Sequence, residues 1–132
     1  MDIIEIFSQY YEYFLRGTRT TIVVALITVC LGTLLGCLIA LLRLSKNRFL
    51  NGFARLYITV LRGTPMLVQL YIVYYQLDFL PYPDGSIFGA DLDRIIPCVI
   101  ALAMNSSSYV AEVIRSGIQA VDHGQMEAAR SC

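Results

Sequence analysis

The chain has 132 residues, no net charge at neutral pH, and 57% hydrophobic against 15% charged side chains. That charged share lies well below the roughly 25% of soluble domains, and the balanced charge leaves no basic field for nucleic acid. Lipid is therefore the expected solvent for much of the chain, read as one unit. Cys30, Cys37, Cys98 and Cys132 contain no Cys-x-x-Cys pair, and His123 is the sole histidine. Neither a metal site nor a disulfide framework is expected from that spacing.

Asp2, Glu5 and Glu12 precede the first base, Arg16, the reverse of the positive start of a secretory signal. Residues 1–20 are rich in tyrosine and other aromatics, which favour the membrane–water boundary. They read as an interfacial N-terminus leading into a span. Residues 21–42 carry no charge, and at 1.5 Å per residue they cross a hydrocarbon core of about 30 Å. Thr28, Gly32, Gly36 and Ala40 recur every four residues and share a face. Gly32 and Gly36 form a small-xxx-small pair that admits a second helix closely.

Residues 43–55 read as a cytoplasmic loop, because Arg43, Lys46, Arg48, Arg55 and Arg62 come without an acid over 43–62. That places the N-terminus outside. Residues 56–80 read as the second span, kinked or broken near Pro65, which removes a helix hydrogen bond and disfavours helical geometry at Thr64. Residues 81–94 hold Pro81, Pro83, Asp84, Gly85, Gly89, Asp91 and Asp93, and Asp78 just before them adds to the acid bias. They read as an external loop. Residues 95–115 form the third span, with Pro97 suited to a first turn, and residues 116–132 fall in the cytoplasm. Asp122 suits an N-cap, with Gln125 as its capping-box partner. Gly117 and Gly124 punctuate the backbone on either side.

No nucleophile–base pair and no phosphate-cradling glycine loop occurs, so the chain does not read as an enzyme. Asn105, Ser106, Ser107, Ser108 and Tyr109 bring hydrogen-bonding groups into the third span. Either they line a translocation path, with Gln69 beside them, or they bond to neighbouring helices and to backbone. Glu112 and Arg115 can pair one turn apart, as an interfacial pair or as a gate. Arg62 and Pro65 can serve as a snorkelling charge and a break, or as a hinge.

Three ordered motifs carry a resemblance to a known family. Residues 124–129, Gly-Gln-Met-Glu-Ala-Ala, resemble the EAA loop of permease subunits in bacterial ATP-binding-cassette importers. Residues 62–69, Arg-Gly-Thr-Pro-Met-Leu-Val-Gln, resemble a signature of its polar amino-acid branch, and residues 108–118 resemble the run before the EAA loop. Gly17, Thr18, Thr20 and Thr21 are similar more weakly. The resemblance implies an all-α membrane fold, three transmembrane helices of a type I importer permease, in the inner membrane. It implies polar amino-acid uptake with a second permease subunit, a cytosolic ATPase that holds the ATP and magnesium, and an extracytoplasmic amino-acid-binding protein. This chain itself would hold no cofactor. Gly124, Gln125, Glu127, Ala128 and Ala129 would be the ATPase-coupling residues. In the family the EAA motif continues to a glycine and further spans, whereas this chain stops at Cys132, so an incomplete permease is implied. A small three-span scaffold without transport activity is the alternative.

Overall fold

The computed structural model describes residues 3–77, 81–87 and 90–132, apart from the side chains of residues 3–8 and of position 123. The expected end of the second span at 78–80, Asp78 with it, and loop positions 88–89 lie outside the described residues. Among the described residues five helices are formed: α1 (Ile3–Leu44), α2 (Arg48–Gly63), α3 (Met66–Gln76), α4 (Leu92–Gln119) and α5 (His123–Ser131). Between α3 and α4 a short antiparallel pair joins β1 (Ser86–Ile87) to β2 (Ala90–Asp91), with Ser86 opposite Asp91.

Helix α1 runs unbroken for 42 residues, about 63 Å at 1.5 Å per residue. The expected interfacial segment and first span are thus one continuous rod. Its stripe of small residues is the face that packs. Gly32, Gly36 and Ala40 are buried, and the partner is α4. A Cβ at Gly36 would lie 2.7 Å from the Val110 Cβ and 3.1 Å from the Ser107 carbonyl oxygen; one at Gly32 would lie 2.9 Å from Ser106. Such approach brings backbones into contact where lipid offers no hydrophobic drive between helices. Ala40, Ile58 and Ala111 then join α1, α2 and α4 in one apolar core, flanked by Ile39, Tyr57 and Ile114.

Several boundaries differ from the expectation. Helix α2 begins at Arg48, capped by Asn47, whose side chain accepts from the Phe49 N–H at 2.9 Å. Most of the expected 43–55 loop is therefore helix. Its turn is held by Asn51, which accepts from Arg43 Nη1 at 2.8 Å and donates to the Arg43 carbonyl. Helices α2 and α3 meet at a bend of 107°, far sharper than a kink, so residues 56–80 do not form one straight rod. Helix α4 starts at Leu92, which puts Pro97 inside the helix rather than in its first turn, and Gly117 lies within α4 rather than after it. By length and composition Gln9–Leu44 and Leu92–Gln119 can each cross a membrane, and the bent pair adds a third crossing if it counts as one.

Candidate functional site

The bend at Pro65 creates a local deficit of hydrogen bonds. Pro65 has no N–H to give Leu61, and the Val68 and Gln69 N–H groups both turn to the Pro65 carbonyl. The Leu61 and Thr64 carbonyls are left short of helix partners. Gln69, one turn into α3, repairs this: its Nε2 donates to Leu61 O at 2.7 Å, and lies 3.0 Å from Thr64 O and 2.7 Å from Thr64 Oγ1. The Thr64 hydroxyl in turn donates to Val60 O at 2.9 Å. Asn105 Nδ2 on α4 then donates to Gln69 Oε1 at 3.0 Å. Gln69 is buried, so an amide that satisfies broken backbone here replaces water that lipid cannot supply.

A second polar link lies beside it. The Tyr57 hydroxyl on α2 donates to Met104 O at 3.2 Å and lies 2.8 Å from Ser107 Oγ. Ser107 and Ser108 are fully buried and bond back to the carbonyls of Met104 and Asn105, each at 2.7 Å. Ser106 faces the glycine stripe of α1. The polar run 105–109 is thus divided: Asn105 joins the elbow, Ser106 joins α1, Ser107 and Ser108 bond within the bundle. Tyr109 alone is largely exposed, at 48%.

Tyr109 carries the Arg62 guanidinium over its ring, 5.2 Å from the centroid, a cation–π arrangement. Glu112 and Arg115 form the expected pair, with Arg115 Nε donating to Glu112 Oε1 at 3.1 Å, and Arg115 also donating to Gln119. Arg43, Arg55, Ile58, Thr59, Arg62, Gly63, Tyr109 and Glu112 line one open cleft of about 470 Å³. Pro65 is exposed.

Helix α5 follows α4 after a short turn. Asp122 is its N-cap, and its carboxylate accepts from the Gly124 N–H at 2.7 Å. The cap is thus made to the second helical N–H, and the capping-box role expected of Gln125 is not among the described hydrogen bonds. Gly124, Gln125, Glu127, Ala128 and Ala129 are all exposed, and Met126 is 52% exposed beside them. The five residues share one short capped helix that stands clear of the bundle.

Sequence reading missed Tyr57, Thr64 and Asn51 as bonding partners, and the alignment of α2. Arg48, Arg55 and Arg62 recur at intervals of seven, with Asn51 and Thr59 between them, and that helical spacing was the available signal.

Long apolar helices packed by a glycine stripe, with a polar elbow among them, define a helical membrane protein. The chain belongs to the family of binding-protein-dependent transport system inner membrane components, whose model matches residues 32–132. It is 41% identical over 126 residues to a Rickettsia prowazekii permease named for glutamine transport, covering 93% of this chain and 55% of that protein. It is 40% identical over 119 residues to the octopine transport system permease protein OccM of Rhizobium meliloti, covering 89% of this chain and 49% of that one. Among solved structures it is similar to an amino acid ABC transporter crystallised with histidines, at 38% identity and a TM-score of 0.80, covering 99% of this chain and 57% of the other. The chain spans about half the length of the curated relatives it matches. These relatives are named as permease proteins of transport systems.

Proposed function

We propose that this chain forms the N-terminal part of a permease subunit that imports polar amino acids, driven by a cytosolic ATPase that docks on α5. The observation that carries the reading is α5 itself. It is a short helix, capped by Asp122, exposed over residues 124–131, and bearing Gly124, Glu127, Ala128 and Ala129 in order. Small residues admit a partner surface closely, and Glu127 offers a charge to a basic partner. The glutamine and octopine names of relatives support a polar amino acid as cargo. In this reading the N-terminus lies outside, the turn between α1 and α2 and all of α5 lie in the cytoplasm, and a second permease subunit and an extracytoplasmic binding protein complete the importer. The basic bias of residues 43–62 supports that orientation. ATP and magnesium belong to the ATPase.

The test is a Glu127→Cys variant of the full-length permease, assembled with an ATPase carrying a cysteine in its docking groove. A disulfide crosslink that changes with nucleotide supports coupling through α5. No crosslink in any nucleotide state counts against it. Thiol labelling from outside is expected to reach a cysteine at Asp84 and not one at Arg48; the opposite pattern overturns the orientation.

A further inference from the structure

We infer that the arginine-lined cleft between α1, α2 and α4 binds the phosphate headgroup of an acidic phospholipid. Three arginines line it, Arg43, Arg55 and Arg62, with Thr59 and Tyr109 beside them. Glu112 is the one carboxylate in the lining, and it is already engaged by Arg115. The ion pairs among the described residues are Arg94–Asp91 and Arg115–Glu112. Arg43 is tied to the neutral Asn51 and Arg62 lies over the Tyr109 ring. None of the three cleft arginines forms an ion pair among the described residues, and Arg43 and Arg62 share the field of the single Glu112 carboxylate across the cleft.

Like charges gathered at one opening repel one another and attract an anion. Guanidinium forks match phosphate oxygens in bidentate geometry. The level of the cleft selects the source of that phosphate. The uncharged run of α1 ends at Leu42, and the next residue, Arg43, lines the cleft. The cleft thus sits where hydrocarbon gives way to headgroups. Helix α2 is amphipathic across this level: Arg55, Thr59 and Arg62 face the cleft, while Phe49, Phe53, Leu56 and Val60 are exposed, at 89%, 61%, 63% and 50%. That apolar flank suits the acyl chains of a lipid whose headgroup enters the cleft. Basic pockets between membrane helices on the cytoplasmic side bind anionic headgroups in this way. The assignment to the inner leaflet rests on the orientation proposed above.

The experiment purifies the full-length permease from vesicles of phosphatidylcholine alone or with phosphatidylglycerol, and measures retained lipid by mass spectrometry. The wild type is expected to keep phosphatidylglycerol selectively. An Arg55→Gln, Arg62→Gln variant is expected to lose it by about thirtyfold, the scale for two basic contacts. A Lys46→Gln, Arg48→Gln variant removes the same charge outside the cleft and is expected to retain lipid nearly as the wild type does. Equal loss in both variants reduces the effect to general surface charge and overturns the site. No selective retention by the wild type overturns it as well. Inorganic phosphate that displaces the lipid, and that raises the melting temperature by itself, reassigns the cleft to a free anion and overturns the lipid. Arg55→Gln alone is the folding-safe variant, since Arg55 makes no hydrogen bond among the described residues, and it is expected to lose about fivefold. Labelling at position 48 reads orientation independently, so a reversed membrane side and an empty cleft give different results.

Discussion

Asn105 on α4 donates to Gln69 on α3 at 3.0 Å, and through Gln69 it reaches the two backbone carbonyls freed by Pro65. One side chain thus closes the backbone deficit of the elbow and fastens the elbow to the helix that leads to α5. A rigid element that ends at α5, the helix proposed above to dock the ATPase, would be a means of carrying displacement, because packed helices move as units.

Replacing Gln69 with Leu leaves the Leu61 and Thr64 carbonyls and the Asn105 amide without this partner. Each buried polar group left unpaired costs about 1–3 kcal/mol, so a loss of about 2 kcal/mol or more is expected in detergent unfolding. Gln69→Glu keeps the shape but removes the donor in the ionised form, and is expected to be as damaging. Stability within a few tenths of a kcal/mol of wild type in both variants would contradict the bracket.

Gly36→Ala places a methyl 2.7 Å from the Val110 Cβ. Overpacking of this kind costs about 1–3 kcal/mol. Val110→Gly, which removes both the Cβ and the Cγ1 that this methyl meets, is expected to offset part of that loss in the double variant, giving a coupling of about 1 kcal/mol in a double-mutant cycle. Additive losses would place the strain elsewhere.

Tyr57→Phe removes one hydroxyl but leaves Ser107 bonded to the Met104 carbonyl. The expected loss is about 1 kcal/mol, the net worth of a typical internal hydrogen bond. Comparison with Gln69→Leu by thermal unfolding then separates a removable bond from a bracket that satisfies backbone.

Asp122→Ala removes the N-cap of α5, at a cost of about 1 kcal/mol. Because α5 is exposed and little supported by the bundle, the effect is expected locally, as faster amide exchange at Gly124 and Gln125 with the melting temperature of the bundle nearly unchanged. Asp122→Asn, which can still cap, is expected to exchange like the wild type.

Composition and spacing determined much of this protein. A run without charges over residues 21–42 is long and apolar enough to cross hydrocarbon as a helix, the form that satisfies its own backbone groups there. The four-residue repeat of Thr28, Gly32, Gly36 and Ala40 likewise marked a packing face, since the helical period is a property of the backbone. Pro65 marked the break, and Asp122 marked the cap. What the chain order did not contain was the partner of each feature. That the glycines meet Ser106 and Val110, that Gln69 turns back to Leu61, and that Arg43 and Arg62 share a cleft depend on how helices distant in sequence cross. The 107° turn at Pro65 was out of reach for the same reason: proline removes a hydrogen bond locally, but the angle is set by what the freed carbonyls find in the folded bundle.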